Sequence, residues 1–394
     1  MDDALPRAVP VRTGAATTVG AQEPRTGTGA LLDGMAALTA RLAAAGDGGA
    51  VEVLSERHDR LVVRRGGAVL KAHQANVDPA ALAARLLAAA DPCLTTALLA
   101  PLPIPDAELA GYAAQVAGRW VSAWPFGLAL GPADADAAPW EQAATLLARL
   151  HTAPCPAGIS GLAAHPRRRL APAIGALERQ APTRRPAKEP EADATDTTGG
   201  AAVAGSDPGA GGSARTAVLA AYRALPDRDV VMTARPGRPV TLIHGDWHLG
   251  QLVRTDADGW RLVDVDDLGI GDPAWDLARP AAWFAAGLLP PAVWTRFVDA
   301  YRAAGGPALP PSGDPWSAVD LPARTFVVEY AARALTASLP TSPGGSGGSG
   351  GEIGPDSDER VGPDGSDALA GPDDPDGLDP LGQAFVTCCR RMLS

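Results

Sequence analysis

Residues 240–276 constrain the fold more than any other part of the chain. An apolar run, Val240-Thr241-Leu242-Ile243, passes without a break into His244-Gly245-Asp246-Trp247-His248-Leu249-Gly250-Gln251. Leu252-Val253-Arg254 and Trp260-Arg261-Leu262-Val263 then flank a polar turn at residues 255–259, which predicts a β-hairpin with Asp264 at its far end. A hairpin folds back on itself, so it can gather Asp246, Gln251 and Asp264 at one end. The Asp264 carboxylate and the Gln251 amide oxygen are hard ligands, suited to a Mg²⁺ that also holds phosphate oxygens. Asp246, five residues before Gln251, can accept a proton from an attacking hydroxyl. Together these are the parts of a phosphoryl-transfer site.

The chain ahead of this stretch divides in two. A helix is predicted over residues 31–45, ending at Gly46. Short β-prone runs follow at 51–54, 60–65 and 68–73, with Gly66-Gly67 as a hairpin turn between the last two. Residues 78–90 read as a helix capped by Asp78 with Pro79 at its first position. Two more strands are expected at 113–116 and 119–123. Strands around one packed helix make a small antiparallel sheet lobe, expected over 29–125. From Pro139 onward the spacing is helical, with Trp140, Ala144, Leu147 and Leu150 on one face. A second, mainly helical lobe is expected over 126–339. The fold class is therefore α+β with two lobes.

Three segments stand apart: the first shows no periodicity, and the other two lack the large apolar side chains that offset ordering entropy. Residues 1–28 read as a loose leader, 181–213 as a disordered insertion, and 340–380 as a disordered Gly/Pro-rich acidic linker. Residues 381–394 then recover an amphipathic helix, expected to dock back on the helical lobe. Charge follows the same division. The chain carries 34 Lys and Arg against 45 Asp and Glu, and residues 352–379 alone hold ten acids and one Arg. The remainder is close to neutral, which excludes a basic nucleic-acid binder. The longest uncharged apolar run, 280–295, contains Pro290-Pro291 and is too short to span a bilayer, so no membrane role is expected. Cys93, Cys155, Cys388 and Cys389 fit neither a disulfide framework nor a zinc site, and the first ten residues lack a secretory h-region. A cytoplasmic protein is expected.

The loop HGDWHLGQ and the run Val263-Asp264-Val265-Asp266-Asp267-Leu268-Gly269-Ile270-Gly271-Asp272-Pro273-Ala274-Trp275-Asp276-Leu277-Ala278 resemble the aminoglycoside-phosphotransferase-like kinases, a branch of the protein-kinase-like fold. That family's loop reads HGDxHxxN and is followed by IDxxDxGxGDPxxDLA. The resemblance implies Asp246 as catalytic base, Gln251 in place of the family's Asn as one metal ligand, and Asp264 as the other. It implies that Asp276 steadies the catalytic loop. Gln at 251 is more similar to the maltokinase-like branch, which phosphorylates sugars. The resemblance spans residues 50–339 in order. It makes Lys71 the strand lysine that holds the α/β-phosphates of ATP, and this is the only Lys in the first 187 residues. It puts Val121, Ala123 and their neighbours up to Pro125 where an interlobe hinge offers backbone groups to adenine.

Two departures stand out. The loop between the first two strands, residues 55–59, has no glycine, so Arg57 or a backbone N–H is expected to serve the phosphates instead. The 78–90 helix has no Glu to pair with Lys71, and Arg85 stands where one is sought. On the acceptor side, His248 beside the base and Glu329, on a predicted helix with mostly apolar neighbours, are the candidate substrate residues. Over its whole length the chain is similar to bacterial glucosamine kinases of this superfamily. The implied reaction is ATP-dependent phosphorylation of D-glucosamine to glucosamine 6-phosphate with Mg²⁺. An aminoglycoside, maltose or another hexose are the alternative acceptors, and a regulatory nucleotide-binding pseudokinase is the alternative outside catalysis.

Overall fold

In a computed structural model, residues 28–42, 49–56, 60–130, 138–179, 213–226, 237–337 and 378–394 are described. The expected leader, the 181–213 insertion and the 340–380 linker lie outside these residues except at their edges (Thr28, Ser213 and 378–380), and Arg57 lies outside them as well.

The first lobe is a five-stranded antiparallel sheet. Its strands are β1 (Glu52–Glu56), β2 (Leu61–Arg65), β3 (Ala68–Ala72), β4 (Ala113–Val116) and β5 (Arg119–Pro125), in the order β1-β2-β3-β5-β4. Leu61 and Val63 alternate inward along β2, which fixes its register against β3. Gly66, at φ 57°, turns the chain between those two strands. Helix α1 (Thr28–Leu42) lays Leu31, Met35 and Leu38 on the sheet beside Val63, Leu70 and Val121. Helix α2 (Pro79–Ala89) starts as the sequence predicts. Asp78 accepts the N–H of Ala80 at 3.0 Å, and Pro79 fills the first turn. Its Leu82 and Leu86 belong to the large core of the second lobe, so α2 ties the lobes together.

Among the described residues, the second lobe combines seven α-helices with two small sheets. Strand β6 (Leu128–Ala129) pairs with β8 (Leu252–Thr255), which forms the expected hairpin with β9 (Gly259–Leu262). Strand β7 (Thr241–Ile243) pairs antiparallel with β10 (Gly269–Gly271). The helices are α3 (Trp140–Thr152), α4 (Leu170–Arg179), α5 (Ala214–Ala224), α6 (Ala278–Ala285), α7 (Pro291–Ala303), α8 (Trp316–Ala337) and α9 (Pro380–Arg391). Trp140 of α3 meets Phe297 of α7 edge-on at 6.0 Å. Helix α8 runs through the middle of the lobe and packs on α4, α5, α6 and α9.

The terminal helix α9 begins where Asp379 caps it, accepting the Gly382 N–H at 2.7 Å. Phe385 stacks on Tyr330 at 4.8 Å and meets Trp283 edge-on, while Val386 and Cys389 are buried. Burying one such aromatic ring is worth roughly 1.5–3 kcal/mol, so α9 is a packed element of this lobe. No helix of the described residues is long and apolar enough to cross a membrane.

Candidate active site

The site forms where β7 ends. Immediately after Ile243 the chain turns at Gly245, whose φ of 83° suits glycine, and a Cβ there would collide with the Asp267 carbonyl. One buried carboxylate holds this turn. Asp276 accepts the N–H of His244 at 2.6 Å, the N–H of Gly245 at 2.9 Å and a bond from His151 Nε2 at 3.0 Å. His151 Nδ1 in turn lies 2.8 Å from the Tyr301 hydroxyl, which accepts the Ala308 N–H at 3.1 Å. With a proton on Nε2, His151 donates to Asp276, and its Nδ1 meets the Tyr301 hydroxyl. Burial pushes the Asp276 carboxyl up, but the hydrogen bond and charge of His151 and the backbone N–H groups outweigh it and hold it below the usual range. His244 completes the clamp by donating from Nε2 to the Val263 carbonyl at 2.8 Å, which ties the loop to the end of β9.

Asp246 points into a cluster of guanidinium groups. Arg169 makes a two-pronged contact, Nη1 donating to Oδ1 at 3.1 Å and Nη2 to Oδ2 at 2.8 Å. Arg279 Nη2 also donates to Oδ1, and Arg168 approaches Oδ2 to 3.6 Å. Burial pushes the Asp246 carboxyl up; Arg279, Arg169, His248 and Arg168 pull it down further, so it stays ionised well below the usual carboxylate range. Arg279 is itself fixed. Its Nη1 donates to the Tyr330 hydroxyl at 2.9 Å and its guanidinium lies over the Phe326 ring at 4.8 Å. Arg168 is anchored to Asp267 at 2.6 Å. Burial raises the Asp267 carboxyl to about 6, Arg168 opposing and Asp246, Asp264 and Asp266 adding to the rise.

The expected meeting of the hairpin ends is present. Gln251 lies in a short 3₁₀ turn, with its amide Nε2 3.4 Å from Asp264 Oδ2 and 3.2 Å from His248 Nε2. His248 Nδ1 accepts the Gly250 N–H at 3.1 Å, so a neutral ring carries its proton on Nε2. That proton is best met by the amide oxygen, and turning the amide over brings Oε1 beside the Asp264 carboxylate. Two oxygens side by side suit a divalent cation. Among the described residues, no group of three or more His, Cys, Asp or Glu forms a closed cage. Mg²⁺ held by two protein oxygens and phosphate needs no such cage.

Asp264 itself sits at φ 62°, in the left-handed region, a strained setting for a non-glycine residue. Lys71 Nζ reaches Asp264 at 2.6 Å and Asp266 at 2.7 Å, and Arg60 reaches Asp264 at 3.1 Å. Burial lowers the Lys71 pKa, but Asp264 and Asp266 outweigh it and hold the ammonium protonated above its ordinary value. Arg85, on α2 where a Glu is sought, donates instead to the Leu268 carbonyl at 3.0 Å.

One expectation is corrected. Val121 and Ala123 are not hinge residues, because β5 continues to Pro125 and both lie inside the sheet with fully buried side chains. The Ala123 carbonyl is taken by the Leu102 N–H at 2.8 Å, and Val121 is flanked by Ala72 and Ala114. The crossing between lobes follows at 126–128, where the Phe126 N–H donates to Gly67 at 2.8 Å. Glu329 is fully buried on α8, with Arg333 Nη1 at 4.0 Å, and its neighbour Tyr330 meets Arg279, which donates to Asp246. Sequence reasoning missed Arg60, Arg168, Arg169 and Arg279. Arg279, in the DLAR end of the second run, is the one with a sequence signal, since a buried apolar helix start seldom carries an unpaired Arg.

The sequence profile of the phosphotransferase enzyme family matches residues 39–316. No curated protein matches the chain. Among solved structures, the chain is similar to a choline/ethanolamine kinase family protein from Mesorhizobium loti, with 18% identity, a TM-score of 0.44, and 76% of this chain and 85% of that one covered. It is also similar to a macrolide 2'-phosphotransferase from Brachybacterium faecium, at 18% identity and a TM-score of 0.43 over 76% and 91% of the two chains. An aminoglycoside phosphotransferase from Streptomyces rimosus matches at 17% identity and a TM-score of 0.42 over 75% and 98%. With the family profile matched across both lobes and the catalytic-type loop, the chain belongs to the phosphotransferase enzyme family.

Proposed function

We propose that the chain transfers the γ-phosphoryl group of ATP to a hydroxyl of a small amino sugar, D-glucosamine at its 6-hydroxyl, in the cytoplasm where ATP is held. The observation that carries the kinase reading is Asp246 on a loop clamped by Asp276, followed by a hairpin whose open end brings Gln251 beside Asp264, with Lys71 of β3 on Asp264. In this reading Asp246 accepts the hydroxyl proton and Lys71 holds the non-transferred phosphates. Gln251 and Asp264 hold Mg²⁺, which when bound screens the charge of the phosphate oxygens. Lys71 and Arg60 keep Asp264 charge-balanced until then.

The amino-sugar acceptor follows the resemblance to glucosamine kinases, and Glu329, on α8 beside Arg333, is the acid proposed for its ammonium. Three guanidinium groups surround the base, so the ammonium must lie away from it. Glucosamine meets this requirement because its 6-hydroxyl and 2-amino group project from opposite sides of the ring. His248, 3.2 Å from the Gln251 amide, is the other residue proposed on the acceptor side.

A coupled assay of ADP release on a panel of glucosamine, glucose, N-acetylglucosamine, maltose and aminoglycosides tests the reading. Glucosamine should give the highest kcat/KM. Preference for an aminoglycoside would keep the kinase and replace the acceptor. ATP binding without turnover on any of them would turn the reading to a regulatory pseudokinase.

A further inference from the structure

Lys71 and His73 lie at the end of β3, two residues apart and therefore on one face of the sheet. His73 continues the strand pairing, its N–H donating to the Trp120 carbonyl at 2.9 Å. Both side chains meet Asp266, which a short 3₁₀ turn at Val265–Asp267 brings up from the second lobe. Lys71 Nζ is 2.7 Å from Asp266 Oδ2, and His73 Nδ1 is 3.1 Å from Oδ1. Strand β5 fixes the histidine in turn. Ser122, opposite Lys71 in the register, has its hydroxyl 2.8 Å from His73 Nε2, and the Trp124 indole N–H donates to that oxygen at 2.9 Å. An indole only donates, so the Ser122 proton is available to Nε2 and the ring can present its own N–H to Asp266.

Asp264 also reaches Lys71, but with Gln251 it forms the pair proposed for the metal, and Asp266 stands outside that pair. Helix α2 offers no alternative acid, because Pro79–Ala89 contains neither Asp nor Glu. We propose that Asp266 is the residue that positions Lys71 for the phosphates of ATP, and that His73 holds Asp266 in place for it. The proposal rests on the kinase reading. An ammonium has three donors, so one can stay on Asp266 while another meets a phosphate oxygen.

Charge and position predict opposite outcomes when Asp266 is neutralised. By Coulomb's law alone, removing a negative charge beside a triphosphate tightens its binding. If Asp266 positions the ammonium, removing that charge loosens Lys71, and the cost of ordering it again falls on ATP binding.

Titration calorimetry on the full chain separates the two. Asp266→Asn should weaken Mg-ATP about tenfold or more, the size of one charge-assisted hydrogen bond. Adenosine, which has no phosphate, should bind as it does to the wild type. In a Lys71→Met background the same substitution should cost nothing further. Unchanged or tighter Mg-ATP binding by Asp266→Asn overturns the proposal. So does an equal loss for adenosine, which marks a merely structural residue. A further loss in the Lys71→Met background overturns it too, because Asp266 would then act on nucleotide or metal directly. Should Asp266→Asn not fold, Asp266→Glu decides. It keeps the charge and moves the carboxylate by one methylene, so Mg-ATP should again lose more affinity than adenosine, and equal effects on the two overturn the proposal. No binding of Mg-ATP by the wild type would overturn the kinase reading instead, which is a distinct failure.

Discussion

His151 Nε2 lies 3.0 Å from the carboxylate of Asp276, a residue 125 positions further along the chain, and both side chains are buried. Through this contact helix α3 fixes the carboxylate that holds the backbone of His244 and Gly245. The loop that carries the proposed base Asp246 therefore depends on a buried residue of a distant helix.

His151→Ala leaves Asp276 buried without its side-chain partner. Breaking such a pair costs roughly 3–5 kcal/mol, or on the order of 10 °C in melting temperature for a protein of this size. We expect kcat to fall with KM for ATP unchanged, because the nucleotide side is held by Lys71 and the hairpin. Tyr301→Phe should be milder, since His151 then loses only the bond to Nδ1. Calorimetry together with steady-state kinetics checks both.

Much of this arrangement is legible in the sequence, for reasons that can be named. Strands β2 to β5 fall within two residues of their predicted positions, because inward alternation and the Gly66 turn are local signals. The same holds for the hairpin that joins Gln251 to Asp264. Strands β6 and β10 were not foreseen: two or three residues carry no periodicity, and both exist only by pairing with distant partners. The arginines around Asp246 were equally hidden, since Arg169 and Asp246 are 77 positions apart and no spacing rule relates them. Val121 and Ala123 were misplaced because strand propensity does not say where β5 stops.

The buried acids should give opposite pH slopes. The Asp276 pKa is held below its unfolded value, so its contribution is present above about pH 4 and lost as pH falls through the folded pKa. The Asp267 carboxyl, ordinarily near 3.8, is raised to about 6. It binds its proton more tightly in the folded state, so its contribution is present at low pH and lost between about pH 4 and 6. The size is about 3 kcal/mol at ~1.4 kcal/mol per unit. Asp267→Asn, which stays neutral, should gain stability over the wild type across that interval in urea unfolding without nucleotide or metal. Equal slopes for the two proteins would show that Asp267 does not titrate there.

Asp264→Ala removes one proposed metal ligand and the partner of Lys71 and Arg60. Mg²⁺-dependent binding of ATP should be lost in titration calorimetry, leaving a weak metal-independent association with the exposed cations. Normal Mg-ATP affinity would move the metal elsewhere.

Glu329→Gln tests the acceptor. Losing a charge-assisted hydrogen bond to the ammonium costs about 2–4 kcal/mol, or roughly 30- to 1,000-fold in kcat/KM. The preference for glucosamine over glucose should shrink accordingly, while the rate on glucose stays near that of the wild type. An unchanged preference would assign the ammonium to another acid.

The most direct test of the central claim is the turnover of Asp246→Asn with Mg-ATP and saturating glucosamine. The amide keeps the shape of the side chain and can no longer take the hydroxyl proton. The account predicts a fall in kcat of about 10²- to 10⁴-fold, with ATP affinity within a few-fold of wild type. A variant that retains half of the wild-type kcat would contradict it.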